Sequence, residues 1–188
     1  MSDKLIHIIA GPNGAGKTSH SRITLLPDFL NTNEFINADE IAKILSPKNP
    51  ANSALEAGRL MLNRINFLLD SNSNFALETT LSAKIYLRLI ARAQKKGYKI
   101  NLFFLALDSF ELAQERVLNR VRKGGHNIES EVVKRRFKRG LDNLKEYLKI
   151  VDTAVIYNSS GFELIEIATK NQKKITVLDK EFWKRIYA

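Results

Sequence analysis

Residues 5–22 read LIHIIAGPNGAGKTSHSR, and this stretch decides the fold. A short apolar run leads into three glycines within six positions, and Lys17 and Thr18 follow directly. The octet GPNGAGKT at 11–18 matches the pattern G-x-x-x-x-G-K-[S/T], whose glycines let backbone N–H groups converge on phosphate. The pattern predicts a strand over 4–10 and a helix from 17 to about 25, which is the setting that a phosphate-binding loop needs.

This loop predicts a binding site for ATP or GTP together with Mg²⁺. Lys17 is placed to reach the β- and γ-phosphates, and the Thr18 hydroxyl is placed to coordinate Mg²⁺. A chance match in a glycine-rich turn is disfavoured because the sequence is correct on both sides of the loop. The predicted nucleotide-binding residues are Gly11, Pro12, Asn13, Gly14, Ala15, Gly16, Lys17, Thr18 and Ser19.

Length and composition restrict the class of protein. With 188 residues, 44% of them hydrophobic, the chain predicts a single domain over 1–188. The formal net charge of +10 favours an anionic partner, either nucleotide, nucleic acid or acidic membrane. The sequence contains no cysteine, which excludes disulfides and thiolate metal sites. It has neither a signal-peptide pattern nor a long apolar stretch, so we expect a soluble, cytoplasmic protein without a membrane partner.

Apolar runs alternate with helical patterns along the rest of the chain. This alternation predicts an α/β fold of the P-loop kinase-like kind, a parallel sheet with helices on both faces. Further strands are predicted at 34–38, 74–78, 99–107, 153–157, 164–168 and 175–178. Further helices are predicted from a capping box at Ser53 and Glu56 to Asp70, then at 83–96, 110–123 and 129–149, and around Trp183.

Polar residues at the ends of the predicted strands are the candidates for chemistry, since ligands of open α/β sheets bind at the carboxyl ends of the strands. Asp39 follows the second strand, where it would accept the proton of an acceptor hydroxyl. An equally supported interpretation makes Asp39 the N-cap of the next helix. Asp108 lies where a magnesium-holding acid would lie, but Ser109 and Glu111 after it favour a helix cap.

Glu78 and Thr80 end the third predicted strand in the sequence FALETT. An acid between an apolar strand and two hydroxyls suits a ligand site better than a solvated strand end. Glu78 is therefore a candidate for orienting the acceptor or for holding Mg²⁺ through water. Thr80 is a candidate for a hydrogen bond to substrate.

Positive charge is concentrated in residues 116–139, which hold nine lysines and arginines against two glutamates. We predict a helical basic lid over about 110–140 that turns at Gly124 and Gly125. Its arginines would close over the phosphates and neutralise charge in the transition state. Arg120 and Arg136 are the predicted catalytic arginines, with Arg116 or Arg135 as the substitute for one of them.

The histidines carry weaker indications. His7, inside the first strand, is expected to be a packed core residue. His20 has no indicated role beyond packing or exposure. His126 follows the two lid glycines and is a candidate contact for phosphate or substrate. No spacing of histidine and acidic residues suggests a zinc site.

In combination, these motifs resemble the zeta-toxin-like small P-loop kinases. The resemblance rests on GPNGAGKTS at 11–19, INADEIA at 36–42, LETT at 77–80, and RVRKGGHNI at 120–128 with RRF at 135–137. The motifs span most of the first 140 residues. In this order they are far more specific than the phosphate loop alone.

The resemblance implies an ATP- and Mg²⁺-dependent kinase. The best-known members phosphorylate an amino-sugar hydroxyl of UDP-N-acetylglucosamine. Lys17 and Thr18 would then serve ATP and Mg²⁺, Asp39 would be the general base, and Glu78 and Thr80 would hold substrate. An antitoxin protein becomes a candidate partner. Little sequence after residue 140 is left for the extended sugar-binding portion of larger members, which leaves other small anionic acceptors open.

Two other functions remain open at this stage. A polynucleotide 5′-hydroxyl kinase would use the same loop and base, with the basic segment contacting nucleic-acid phosphates. A nucleotide-dependent ATPase switch would use water in place of the acceptor hydroxyl. The product of the reaction separates these classes.

Overall fold

The computed structural model describes residues 4–20, 34–125 and 127–187. The strands are β1 (Lys4–Ala10), β2 (Phe35–Asn37), β3 (Phe75–Thr79), β4 (Tyr98–Ala106), β5 (Thr153–Asn158), β6 (Ile165–Asn171) and β7 (Lys174–Val177). The helices are α1 (Lys17–His20), α2 (Ala38–Leu45), α3 (Ala54–Asp70), α4 (Ile85–Lys95), α5 (Phe110–Arg122), α6 (Ser130–Ile150) and α7 (Lys180–Tyr187). The predicted helix from 17 to about 25 is described only to His20, and its remainder lies outside the described residues.

The described strands form one sheet in the order β2-β3-β1-β4-β5-β6-β7. The α/β prediction is confirmed, and β2, β3, β1, β4 and β5 run parallel. The sheet differs from the predicted parallel one only at its end, where β6 and β7 pair antiparallel. Short connections cause this difference, since a parallel neighbour requires a crossover of a dozen or more residues. Only 159–164 join β5 to β6.

Strand β1 lies in the middle of the sheet, and both of its faces are buried. Ile6 and Ile8 belong to the larger core cluster, whereas Ile9 belongs to a second cluster. This alternation follows from the two-residue period of a strand whose sheet is covered on both sides. The second cluster also contains Ala15 and Val117, so it packs directly against the phosphate loop.

The caps of helices α5 and α3 differ from those that the sequence predicts. Ser109 caps α5 by accepting a hydrogen bond from the Leu112 N–H, so the prediction of a cap at Asp108 is wrong. Asp108 instead accepts a hydrogen bond from Arg185 at 3.1 Å. Ser53 precedes α3 as predicted, but its side chain makes no capping bond and the capping box does not form. In the described parts of the chain, none of the helices has the length and apolar character to cross a membrane.

His7 is a packed core residue, as the sequence predicts. Its side chain is 3% exposed, and its Nδ1 accepts a hydrogen bond of 3.3 Å from the Asn101 amide. The other end of that amide accepts a hydrogen bond from the Thr153 hydroxyl. Burial lowers the pKa of His7 from 6.5 to about 4, because the imidazolium form would lose its hydration.

We expect His7 to make the fold sensitive to acid. Between pH 6.5 and 4 the unfolded chain binds a proton at His7 that the folded chain does not, so stability falls as the pH falls. The expected loss at His7 is about 3 kcal/mol. Denaturant unfolding of the wild type and of His7→Leu at pH 7 and pH 4 measures it. Equal pH dependence in both proteins would show that His7 makes no such contribution.

Candidate active site

The phosphate loop has a backbone that only glycine adopts readily at three positions. Gly11, Gly14 and Gly16 have φ values of +142°, +82° and +77°. A Cβ atom at Gly11 would lie 2.3 Å from the Leu105 carbonyl oxygen, and one at Gly14 would lie 2.7 Å from the Ala113 carbonyl oxygen. The loop therefore fits closely between β4 and α5.

Lys17 and Thr18 both contact Glu78 across the carboxyl edge of the sheet. The Thr18 hydroxyl donates to one Glu78 carboxylate oxygen at 2.9 Å, and the Lys17 Nζ lies 3.9 Å from the other. Lys17 also donates to the Pro12 carbonyl at 3.0 Å. Burial lowers the pKa of Lys17 and raises the pKa of Glu78, and each group's charge opposes the shift of the other.

Strand register explains this arrangement. Ile9 of β1 is paired with Glu78 of β3, and Asn37 of β2 is paired with Glu78 on the opposite side. Each strand therefore ends at the same level, where β1 continues into the phosphate loop and β2 continues into α2. Glu78, which the sequence predicts to orient the acceptor or to hold Mg²⁺ through water, therefore lies beside Lys17 and Thr18.

Asp39 lies in the first turn of α2, and the prediction that it caps this helix is wrong. The cap is Asn37, whose side chain accepts a hydrogen bond of 2.8 Å from the Asp39 N–H. The Asp39 carboxylate is exposed at the edge of the site. Its negative charge raises the pKa of Lys17 and of Glu78, so it lies within electrostatic reach of both.

The two predicted catalytic arginines are brought to the phosphate loop from different helices. Arg120 of α5 and Arg136 of α6 each lower the pKa of Lys17 by their positive charge. Arg136 is partly buried, whereas Arg135 beside it is exposed. Gly125 lies against Arg120, where a Cβ atom would come within 2.6 Å of the Arg120 Cγ. The turn after α5 therefore constrains Arg120.

Arg116 supports the phosphate loop through backbone carbonyls, a role that sequence reasoning missed. Its guanidinium donates to the carbonyls of Ser159 at 2.7 Å, Ser160 at 2.6 Å and Gly14 at 3.4 Å. The guanidinium is therefore engaged with the protein itself. Its planar set of donors lets one side chain join the loop to the segment after β5.

Ser159 completes this support from the other side. Its hydroxyl lies 3.1 Å from the carbonyl oxygens of Ala15 and Ala106, and the side chain is buried. The available sequence signal was the polar run Asn158, Ser159 and Ser160 directly after strand β5. It follows the same rule that selected Asp39 and Glu78, namely polar residues at carboxyl ends of parallel strands.

Thr80 lies in the loop after β3, and its hydroxyl forms a 2.8 Å hydrogen bond with the Ser82 hydroxyl. Leu81 between them has a φ of +59°, which is rare for a residue with a side chain. His20 lies against Gly16, and its pKa is lowered by burial and then by the Arg116 charge. The predicted contact at His126 lies outside the described residues.

A cavity opens beside the phosphate loop and the end of α5. Its volume is about 470 Å³, and it is lined by Arg116, Asn119, Arg120, Lys123, Gly124 and Gly125. Three of these six residues are cationic. The cavity therefore suits an anionic ligand next to the phosphate loop.

We expect Arg116→Lys to weaken nucleotide binding without removing positive charge. A lysine ammonium cannot reproduce the planar contacts to three carbonyls, so the loop loses part of its support. The Kd for MgATP, measured by titration calorimetry, should rise about tenfold. Arg122→Lys, at an exposed residue of the same helix, is the control. Equal Kd values in the two variants would contradict the supporting role.

Comparison with known proteins agrees with this architecture. An uncharacterized protein of Haemophilus influenzae is 28% identical over 137 residues, which are 73% of this chain and 94% of that protein. A chain of the AvrRxo1-ORF1:-ORF2 structure with ATP superposes with a TM-score of 0.77 at 16% identity. That match covers all of this chain and 64% of the other, so this chain spans less than two thirds of its length.

A second solved structure has the same fold. A chain of the PezAT chromosomal toxin–antitoxin system of Streptococcus pneumoniae gives a TM-score of 0.63 at 21% identity, covering 85% of this chain and 69% of the other. The profile of the family described as zeta toxin matches residues 2–179, which is nearly the whole sequence. The resemblance of the phosphate loop, INADEIA and LETT motifs is thereby confirmed, and the chain belongs to the zeta toxin family.

Proposed function

We propose that this protein is a kinase that transfers the γ-phosphate of ATP, with Mg²⁺, to a hydroxyl of a small anionic acceptor. One observation carries the proposal. The Lys17 ammonium at the phosphate loop lies 3.9 Å from Glu78. The charges of Glu78 and Asp39 raise its pKa, and the charges of Arg120 and Arg136 lower it. These are the charges that phosphoryl transfer requires around a transferring phosphate, and they come from four separate elements of the chain.

The described residues fit a magnesium ion at Thr18. A hydroxyl that is hydrogen-bonded to a buried carboxylate provides the oxygen ligands that Mg²⁺ prefers. In this proposal Thr18 would contact the metal directly, and Glu78 would hold it through water. The bound metal would neutralise charge on the phosphates. Residues 13–19 would donate backbone N–H groups to those phosphates.

Asp39 is the proposed general base. Glu78 is engaged with Thr18 and Lys17, whereas Asp39 is exposed at the edge of the site and is able to meet an incoming hydroxyl. Asp39 would orient this hydroxyl and accept its proton as the bond to phosphorus forms. Thr80 would bind the acceptor from the neighbouring strand end.

Arg120 and Arg136 are proposed to stabilise the transition state. They lie on α5 and α6, on either side of the turn at Gly124 and Gly125, in the segment of about 110–140 that we propose as a lid. Their charge would compensate the negative charge that spreads over the transferring phosphate. The two helices thus supply the cations of the proposed site.

The acceptor is proposed to be UDP-N-acetylglucosamine or another nucleotide sugar. Family membership supports this class, and the cationic cavity next to the loop suits an anionic ligand. Residues 153–187 build β5, β6, β7 and α7 at the end of the sheet. These elements belong to the sheet and its covering helix. We propose ATP rather than GTP as the phosphate donor, because a structure of similar fold was determined with ATP.

A protein inhibitor is a further proposed partner. The PezAT structure is described as a toxin–antitoxin system, and this chain shares its fold. We propose that the protein acts in the cytoplasm, where ATP and nucleotide sugars are available, and that an antitoxin protein restrains it.

A screen of acceptors tests the proposed function. Purified protein with ATP and Mg²⁺ is incubated with UDP-N-acetylglucosamine, other nucleotide sugars, free nucleosides and 5′-hydroxyl oligonucleotides. ³¹P NMR and mass spectrometry detect the products. A new phosphomonoester on one acceptor identifies the kinase and its substrate. Formation of ADP and free phosphate alone, at the same rate with every acceptor, would favour the ATPase switch instead.

A polynucleotide 5′-hydroxyl kinase is the second candidate. The observation that favours it is the exposure of basic residues on the lid segment, where Arg122, Lys123, Lys134, Arg135, Lys138 and Arg139 all face solvent. Such a surface would bind nucleic-acid phosphates and release counterions. Affinity for a 5′-hydroxyl oligonucleotide should then fall by roughly one power of salt concentration per phosphate contacted. Salt-independent binding would exclude this candidate.

A further inference from the structure

One face of helix α6 contacts the loop after β3 at three backbone carbonyls. Gly140 packs against the Thr80 carbonyl oxygen, which a Cβ atom at Gly140 would approach to 2.7 Å. Asn143 donates its side-chain amide to the Leu81 carbonyl at 2.9 Å, and the Tyr147 hydroxyl donates to the Ala83 carbonyl at 2.6 Å. Spacings of three and four residues place these contacts on one side of the helix, which we call the 140–147 face.

The 140–147 face is buried, and its Asn143 amide and Tyr147 hydroxyl both donate hydrogen bonds in this contact. Asn143 is 6% exposed and Tyr147 is 0% exposed. Burying an asparagine costs free energy unless its amide is hydrogen-bonded, and the bond from Asn143 to the loop offsets that cost. A simple packing role at this position would be met by an apolar residue.

The loop that this face contacts has an unusual conformation. Leu81 adopts a φ of +59° although it carries a fully buried side chain. The Thr79 hydroxyl accepts a hydrogen bond from its N–H, and Asn143 donates to its carbonyl. Such a conformation persists only when its surroundings determine it, and such residues cluster at functional sites. Asn143 therefore helps to determine the backbone that presents Thr80.

The same helix carries Arg136 to the phosphate loop. Arg136 precedes Gly140 by four residues, so both lie on one side of α6, one turn apart. The charge of Arg136 lowers the pKa of Lys17, while Gly140 contacts Thr80, the residue proposed to bind the acceptor. One rigid helix therefore joins the phosphate side of the site to its acceptor side.

We propose that Asn143 is a positioning residue for phosphoryl transfer. By holding the Leu81 carbonyl, it fixes the loop with Thr80 relative to Arg136, and so aligns the acceptor with the γ-phosphate. This inference rests on the proposed kinase function. Asn143 acts through Thr80 and Arg136 and touches neither ATP nor the acceptor.

Differential nucleotide affinity tests this role without knowledge of the acceptor. Titration calorimetry gives the Kd values for MgADP and for Mg²⁺ with the non-hydrolysable ATP analogue AMP-PNP. The Kd for MgADP divided by the Kd for the analogue reports contacts to the γ-phosphate. We expect Asn143→Leu to reduce this ratio about tenfold, because misplacing Arg136 removes its contact. Binding of MgADP itself should be unchanged, since the phosphate loop is not touched.

A double-mutant cycle shows whether the effect passes through Arg136. Asn143→Leu should have almost no further effect on the ratio in an Arg136→Ala background, because residues that act together are not additive. Additive effects would overturn the positioning role. So would a wild-type ratio in folded Asn143→Leu protein. A wild-type protein that binds both nucleotides equally would also overturn the positioning role, because Arg136 would then make no contact that depends on the γ-phosphate. Absence of a phosphorylated product in the acceptor screen would instead overturn the proposed function.

Two further variants separate positioning from loss of stability. Asn101→Leu removes a hydrogen-bonded asparagine between β1, β4 and β5, away from the loop, and should lower stability without changing the ratio. Gly140→Ala keeps the Asn143 and Tyr147 donors and has the higher helix propensity. Its methyl group, however, must displace the Thr80 carbonyl. Gly140→Ala should reduce the ratio in the same direction as Asn143→Leu. An unchanged ratio in Gly140→Ala would overturn the proposal even if Asn143→Leu does not fold.

Discussion

Asp39→Asn is expected to retain ATP binding and to lose phosphoryl transfer by about two to four orders of magnitude. The amide keeps the size of the carboxylate but cannot accept the proton of the acceptor hydroxyl. The cap of α2 should be unaffected, because it is formed by the Asn37 side chain and the Asp39 backbone N–H. Titration calorimetry with MgATP and a product assay at saturating acceptor measure the two properties separately.

Glu40→Gln is the matched control for Asp39→Asn. Glu40 is the next residue of the same helix turn, and like Asp39 it raises the pKa of Glu78 through its charge. Removing that charge should change transfer much less than removing the proposed base. A fully active Asp39→Asn variant, or equal losses in the two variants, would assign Asp39 an electrostatic role shared with its neighbour.

Lys17→Met is expected to abolish transfer almost completely, by about 10³-fold or more. The Lys17 ammonium is the cation at the centre of the site, 3.0 Å from the Pro12 carbonyl and 3.9 Å from Glu78. Methionine conserves the chain length, so the packing is kept while the charge is lost. Initial rates of product formation with ATP and Mg²⁺ measure the effect.

A second consequence of Lys17→Met concerns Glu78. The charge of Lys17 opposes the rise in the Glu78 pKa, so its removal should raise that pKa further. Lys43→Met, at an exposed lysine of α2, is the control for loss of one positive charge. ATP-dependent transfer at the normal rate in Lys17→Met would refute the proposed mechanism.

The parts of the site that the sequence could predict are those that depend on local pattern. A strand, a glycine loop and a helix are contiguous in 4–20, so their chemistry is visible without tertiary structure. Glu78 was also predictable because it ends an apolar strand, and parallel strands end at one edge. The choice of cap at α2 was not, because Asn37 and Asp39 are both good capping residues and only the backbone geometry selects between them.

The residues that support the site could not be predicted from the sequence, and the reason is physical. Arg116 and Asn143 bind backbone carbonyls, and every residue has a carbonyl whatever its side chain. Their partners lie 43 and 62 positions away in the chain, so no local spacing marks the contact. The antiparallel end of the sheet was missed similarly, because short apolar runs show a strand but not its direction.

The position of β1 in the middle of the sheet has a consequence for biosynthesis. The phosphate loop is made early, but its neighbours β3 and β4 emerge from the ribosome later, and Ser159 and Ser160 emerge later still. A growing chain that has not reached residue 160 lacks the hydroxyl that joins Ala15 to β4 and the carbonyls that hold Arg116. We therefore expect a chain released before residue 160 to lack the support that its phosphate loop needs to hold a nucleotide.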